Sequence, residues 1–334
     1  MKVAVVILNW NGKGFLEKFL PSLFNSLPSY AELIVADNAS TDGSKEAVNN
    51  SKIQWIQLDN NYGFTGGYNK AFNIIKEQSD YDYYVLINSD ILVTEGWLEP
   101  LVDFMESHKE AAACQPKILS YANKDHFEYA GAGGGFIDRW GFPLCRGRIL
   151  SCIEEDKGQY DSPIQCFWAS GACMVVRSDV WRRLGGLDEE FFAHMEEIDF
   201  CWRASLAGGQ IWCVPQSKVY HVGGGTLPNN SPRKLYLNYR NNLLMLWKNL
   251  PAKHKNGKIF LRKCIDGLSA VCYVFQGKFS YFKSVVKAHR DYRKLKAKVT
   301  VTPNEKGALP YGMLPYSIIR KFFTGKKRFS QLTF

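Results

Sequence analysis

Three groups of acidic residues stand where chemistry could be done. Asp90 closes Asn88-Ser89-Asp90 within a short apolar run, residues 83–93. A carboxylate there either caps the following turn or meets a metal ion or a phosphate. Asp37 opens Asp37-Asn38-Ala39-Ser40-Thr41-Asp42-Gly43-Ser44, and an acid at the end of a strand can accept hydrogen bonds from a ribose or a base. The third group, Glu196-Glu197-Ile198-Asp199, puts three acids in four residues beside apolar positions, and these cannot all face solvent on a helix. Asp199 and Arg203 are four residues apart and are expected to form a structural ion pair with Glu196 on the same side, while Glu197 points elsewhere. His221, followed by Gly223-Gly224-Gly225, ends another apolar run and is either a hydrogen-bonded structural residue or a ligand. Gly66-Gly67 at a helix start serves either tight packing or a close approach of backbone to a ligand.

The elements that must position these residues read as alternating strands and helices. Residues 3–8 form a strand, Asn9-Trp10-Asn11-Gly12 a turn, and Phe15, Leu16, Phe19, Leu20 and Leu23 one face of a helix. A second strand over 31–36 completes a βαβ unit. A third strand spans 53–58 and a helix follows through Ile75. The run 83–93 is rich in Tyr, Val, Leu and Ile and too short for a buried helix, so it reads as a strand covered on both faces. An amphipathic helix spans 96–108, with Leu98, Leu101, Val102 and Met105 on one face. Strand-like pieces alternate with glycines over 111–148, and the polar stretch 151–163 is expected to be a mobile loop. Helices are expected at 178–184 and up to about Gly208, a strand at 211–220, and a helix at 234–247 that carries Arg240-Asn241-Asn242.

The 334 residues are 46% apolar and 14% aromatic, enough for a sizeable core and against a disordered chain. The net charge of +10 is confined to one end: residues 251–334 hold 19 Lys/Arg against 3 Asp/Glu, whereas residues 1–250 are net acidic. That basic tail is either a solvated face or attracted to an anionic partner. The nine cysteines make no C-x-x-C pair and mostly lie in apolar runs, which suits reduced core thiols in a cytosolic protein. The N-terminal residues read as a first strand and not as a signal peptide, and no uncharged stretch reaches the roughly 18 residues that a spanning helix needs.

Taken in order, Asn9 with Trp10-Asn11-Gly12, the Asp37 segment, Asn61-x-Gly63-Phe64-x-Gly66-Gly67-x-Asn69, Asn88-Ser89-Asp90, Gly185-Gly186-Leu187-Asp188-Glu189 and Glu196-Glu197-Ile198-Asp199 resemble the family 2 glycosyltransferases. The likeness covers roughly residues 1–245 and is strongest to the rhamnosyltransferase-like branch of bacterial surface polysaccharide synthesis. It implies a GT-A fold, a mixed and mainly parallel sheet flanked by helices, and an inverting transfer of a sugar from a nucleoside diphosphate donor to a hydroxyl. It also implies a divalent cation, Mg²⁺ or Mn²⁺, because a leaving diphosphate needs its charge offset. Asp90 matches the last acid of the family's D-x-D motif, with Asn88 where the longer motif begins in Asp. Asp37, with Asn9, matches the acid that holds the base or ribose; Asn69 and Ser89 join them as donor-binding residues, and His221 matches a position near the metal. Inversion needs a carboxylate to take the acceptor proton. The family supplies it from the second acid of a Glu-Asp pair, here Glu197, with Glu196 as the fallback. Trp168 and Gly171, with Ser170, are placed beside the acceptor.

The chain is expected to divide into a catalytic domain, 1–250, and a basic helical extension, 251–334. Basic residues interleaved with aromatics over 279–298 and 318–328 suit an interfacial helix on anionic lipid. No nucleic-acid motif accompanies them. The expected setting is the inner face of the cytoplasmic membrane, with a saccharide or lipid-linked saccharide as acceptor. Rival readings fare less well. A dinucleotide-dependent oxidoreductase lacks G-x-G-x-x-G after the first strand, and a nucleotidyltransferase lacks a glycine-rich basic loop there. A non-catalytic module on a lipid surface is separated from both by a nucleotide-binding test.

Overall fold

The computed structural model describes residues 1–224, 231–304 and 307–333; Gly225, the third glycine after His221, lies outside them. In the first hundred residues β1 (Val3–Asn9), α1 (Lys13–Asn25), β2 (Ala31–Asp37), β3 (Gln54–Gln57), α2 (Gly63–Lys76) and β4 (Tyr83–Ile87) follow the expected alternation. β2, β1 and β4 lie side by side and parallel, with β3 beyond β2. β4 is buried at every position, as its composition implies. The run 83–93 is nevertheless two strands. Asn88-Ser89-Asp90 turns the chain, with the Asn88 N–H donating to Ala172 O, and β5 (Ile91–Val93) leaves to pair elsewhere. The helix expected over 96–108 is α3 (Glu99–Ser107); it starts late because Gly96 takes a left-handed φ of +63° and Pro100 sits in the first turn.

β6 (Ala111–Ser120) leads into short strands β7 (Gly135–Asp138), β8 (Pro143–Cys145), β9 (Arg148–Ile149) and β10 (Cys152–Ile153), which form a separate small sheet. β11 (Ile164–Cys166), β12 (Cys173–Arg177), α4 (Ser178–Leu184), α5 (Glu196–Leu206) and β13 (Gln210–His221) return to the main sheet. Its order is β11, β13, β6, β12, β4, β1, β2, β3, with β5 on the far end of β13. The sheet is parallel through β3, β2, β1 and β4 and between β6 and β13; β12 is inserted antiparallel between β4 and β6. Helices flank it, and two apolar clusters fill its two faces. The ends of β1, β2, β4 and β13 thus meet along one rim, which is where ligands sit on such sheets.

Two expectations are corrected here. The polar stretch 151–163 is pinned, not loose: Lys117 of β6, fully buried, is neutralised by Asp156 at 2.9 Å and by Asp161, and Tyr160 packs into the core. Six cysteines are buried and unpaired as expected, but Cys264 and Cys272 are exposed.

Beyond residue 231, α6 (Pro232–Asn249), α7 (Ala252–Phe275) and α8 (Phe279–Leu295) pack on one another, and α6 also packs on α5. The chain past Asn249 is helical in α7 and α8, and its last residues return to the body. β14 (Met313–Leu314) adds parallel to β7, α9 (Ile318–Phe323) follows, and the Ile318 N–H donates to the buried Asp138. Among the described residues no helix is long and apolar enough to cross a membrane.

Candidate active site

A cleft of about 420 Å³ opens along the rim of the main sheet and takes in both ends of the expected chemistry. The turn after β4 brings Ser89 and Asp90 into its lining, and Asp90 meets the end of β13. Asp90 accepts from His221 Nε2 at 3.1 Å and from the Gly223 N–H at 3.2 Å. The other ring nitrogen of His221 lies 3.5 Å from Glu128, a carboxylate that sequence reasoning missed. Burial pushes the Asp90 carboxyl up, but the hydrogen bond and charge of His221 outweigh it and hold Asp90 below its ordinary range. Burial works against the charged imidazole too; Asp90 and Glu128 overcome it and carry His221 up to about 10.

The same cleft is lined by the start of α5, with Glu196 and Glu197. One oxygen of each carboxylate is buried without a hydrogen-bond partner. Burial raises both, Glu197 to about 7 and Glu196 further with the added repulsion of Glu197. Asp199, one turn on, is fully buried yet held low. Burial pushes it up, while Arg203 at 2.8 Å, Lys248 at 2.9 Å and Asn249 at 2.8 Å more than compensate. The expected Asp199–Arg203 pair is therefore present, and Lys248 joins it from α6. The backbone entering α5 is bent through left-handed φ at Phe192 (+64°), His194 (+71°) and Met195 (+72°), a conformation that costs a side chain-bearing residue roughly 1–2 kcal/mol.

The remaining site residues divide between the cleft and its supports. Gly171 lies against Glu197: a Cβ placed on it would come 3.7 Å from Glu197 Cβ, an ordinary contact, and 3.1 Å from the Phe64 ring, which would have to shift by a few tenths of an ångström. Trp168 borders the cleft but is 2% exposed, its ring seated on Gly135 and its indole N–H donated to Phe136 O at 2.9 Å. Its placement is that of a wall and not of an open stacking surface.

Asp37 and Asn9 do not line this cleft. Asp37 borders a neighbouring hollow of about 240 Å³ with Ser40, Thr41, Trp55 and Gln57. Its two oxygens already accept from Asn9 Nδ2, Ser40 Oγ, Ser40 N and Gln57 Nε2, all within 2.9 Å. Four bonds fill a carboxylate, so Asp37 organises the hollow and leaves Gln57 and the loop to face it. Asn69 is a correction: its amide bonds the backbone of Leu187 in both directions, at 2.8 and 3.0 Å, and so ties α2 to the Gly186 turn outside the cleft. The Gly66-Gly67 pair likewise serves packing. A Cβ on Gly67 would strike Leu8 at 2.6 Å, and the first free N–H groups of α2 donate to Phe192 O.

Arg148 was also missed. It borders the cleft at 5% exposure, donating to Tyr129 O at 2.8 Å and to Cys145 Sγ, with no carboxylate within 4.0 Å among the described residues. Nothing local in the sequence marks Arg148 or Glu128; tertiary pairing brings them in.

The pattern for "Glycosyl transferase family 2" matches residues 4–180. The chain belongs to that family. Glycosyltransferases of this family are accordingly its relatives in sequence. It is 25% identical to Escherichia coli rhamnosyltransferase WbbL, over 66% of this chain and 83% of that one. It is 25% identical to the Mycobacterium tuberculosis N-acetylglucosaminyl-diphospho-decaprenol L-rhamnosyltransferase, over 65% and 75%. A hexosyltransferase of low-salt glycan biosynthesis, Agl10 of Haloferax volcanii, is 23% identical over 72% and 74%. The fold is shared with GalNAc-T7 solved with UDP, GalNAc and Mn²⁺ (TM-score 0.57, 15% identity, 89% of this chain and 56% of that one). It is shared too with the mannosyltransferase PcManGT from Pyrobaculum calidifontis, solved with GDP-Man and Mn²⁺ (TM-score 0.52, 12% identity, 89% and 86%). The protein is a rhamnosyltransferase-like family 2 glycosyltransferase on a mixed α/β sheet flanked by helices.

Proposed function

We propose that the protein transfers a sugar, with inversion, from a nucleoside diphosphate donor to a hydroxyl of a lipid-linked saccharide at a membrane surface. The observation that carries the reading is that Asp90 and Glu197 line one cleft, one carboxylate held ionised and the other raised toward neutrality.

Glu197 accepts the proton of the acceptor hydroxyl as its oxygen attacks the anomeric carbon; the donor's C–O bond to the diphosphate breaks and the diphosphate leaves toward Asp90. A carboxylate raised to about 7 is matched to that task near neutral pH. The hollow organised by Asp37 and Asn9 suits the nucleoside, and Ser89 lines the cleft beside Asp90. A divalent cation fits the Asp90 end if the diphosphate completes its shell. Asp90 is the carboxylate on offer, His221 could join it only by giving up its proton, and no group of three or more His, Cys, Asp or Glu among the described residues could hold a metal alone. When bound, such a cation offsets the charge of the leaving diphosphate.

Two features support a lipid-linked acceptor. Arg148 brings a buried guanidinium, paired with no carboxylate, to the lining of the cleft, which suits an acceptor bearing phosphate. The helix α7 is also turned inside out. Its buried face carries the Arg262–Asp266 ion pair at 2.8 Å, while Phe260, Leu268, Val271 and Phe275 stand exposed at three- to eight-residue intervals on the other, up to 87% at Phe275. An apolar stripe on the most basic part of the chain is what an anionic bilayer attracts.

Calorimetry with uridine, thymidine and guanosine diphosphate sugars, with and without Mg²⁺ or Mn²⁺, tests the donor side. Binding of one donor, strengthened by metal and abolished by Asp90→Ala, is expected; binding of none sinks the proposal. Because residues 313–332 close onto the body, the membrane face is tested by substitution and not by truncation. Leu268→Glu with Phe275→Glu should abolish flotation with anionic vesicles while leaving donor binding intact, and unchanged flotation removes α7 as the contact.

A further inference from the structure

The strained backbone that leads into α5 has to be held by something. Three residues other than glycine take left-handed φ within residues 192–195, directly before Glu196 and Glu197. Such geometry persists only where the surroundings over-determine it. The segment has little regular structure of its own, a single 3-10 turn at Glu189–Phe191, and its carbonyls are claimed by two other elements.

From α2, the N–H groups of Phe64 and Thr65 donate to Phe192 O at 2.8 and 3.3 Å. From α6, Asn241 Nδ2 lies 2.9, 2.8 and 2.7 Å from the carbonyls of Phe191, Ala193 and His194. Arg240 Nη2 adds Glu190 O and Phe191 O at 2.9 and 2.8 Å. Arg240 Nε donates to Asn241 Oδ1 at 2.8 Å, which fixes which way the amide faces. Asn241 is fully buried, and neither it nor Arg240 borders the cleft. Two adjacent side chains thus supply five donor contacts to one irregular loop, and no comparable set reaches it from its own element.

We propose that Asn241, oriented by Arg240, is a positioning residue: it clamps the strained approach to α5 and through it sets where the Glu197 carboxylate stands. An amide is the side chain that fits, since it presents two N–H donors to converging carbonyls and one acceptor to the guanidinium. The proposal rests on Glu197 being the base, so the test separates the two claims.

In the full chain, Asn241→Ala should lower kcat on the order of 10²-fold, the effect of misplacing a reacting group by about 1 Å, with the KM for the donor little changed. Hydrogen exchange should speed up in residues 190–196 and stay slow in β4. In the Glu197→Gln background Asn241→Ala should cost almost nothing more, because the group it positions is gone. Trp247→Phe removes another tertiary hydrogen bond of α6, from the indole N–H to Lys296 O at 3.1 Å, and should leave kcat unchanged. If Asn241→Ala does not fold, Arg240→Lys, which keeps the charge and loses the fork, should show the same pattern more weakly. Normal kcat with unchanged exchange overturns the clamp. So does a loss that multiplies fully with that of Glu197→Gln. A near-normal rate for Glu197→Gln alone removes that residue as base, and the exchange pattern then still decides whether Asn241 holds the loop.

Discussion

Two sets of carboxylates in the lining of one cleft are treated in opposite ways. Asp90 is buried with a cationic imidazole and a backbone N–H against it, and so remains an anion. Glu196 and Glu197 are buried with an unpartnered oxygen each and with one another for company, and are driven toward the acid form. Only a few residues further on, Asp199 shows that this is a matter of partners and not of depth, since Arg203, Lys248 and Asn249 keep it ionised at zero exposure. The proposed transfer asks for one carboxylate held against a leaving diphosphate and another lent to a proton, and placing or withholding cations separates the two.

That contrast can be broken most decisively at Glu197. Glu197→Gln keeps the shape and removes the basic oxygen; turnover should fall on the order of 10²–10⁴-fold with donor affinity retained in calorimetry. A near-normal rate transfers the role to Glu196. The pH profile sharpens the same point. A base raised to about 7 is lost as pH falls through that value, so wild-type kcat/KM should show an acidic limb centred there. A profile already flat at about pH 5, the ordinary carboxylate range, would mean that Glu197 is ionised like Asp90. The smallest effect concerns stability. Glu196 is raised in the fold, so above the ordinary Glu range the unfolded chain releases a proton that the native chain keeps. Stability should therefore decline with rising pH by up to about 1.4 kcal/mol per unit from this group. Glu196→Gln removes that slope, and its thermal midpoint should gain on the wild type as pH rises toward 7; parallel curves would show that Glu196 is not buried as an acid.

Much of this was legible in the chain because it is carried by local pattern. Period and composition set β1, β2, β4 and α1, and acids at strand ends set Asp37 and Asp90. Spacing set the Asp199–Arg203 pair. What was not legible depends on which distant groups meet. Asn69 looks like a ligand residue until Leu187 is seen bonded to both ends of its amide. Asp37 looks open until Asn9, Ser40 and Gln57 fill it. Glu128, Arg148 and Lys248 have no local signature, since their roles come from His221, Tyr129 and Asp199 across the fold. The break at Asn88 was hidden because Ile91, Leu92 and Val93 continue the apolar run while serving a different neighbour, β13.

The joining of β14 and Ile318 to β7 has a consequence for the order of events at the ribosome. Asp138 and the Ile318 N–H are 180 residues apart. At typical synthesis speeds of about 5–20 residues per second, β7 waits roughly 10–40 s for its neighbour to be made. Throughout that interval it presents an open strand edge and a carboxylate without one of its donors. The Trp168 wall, seated on Gly135 of that same strand, is thereby among the last parts of the molecule to set. A nascent chain should complete the hollow beside Asp37 well before the Trp168 wall of the cleft is in place.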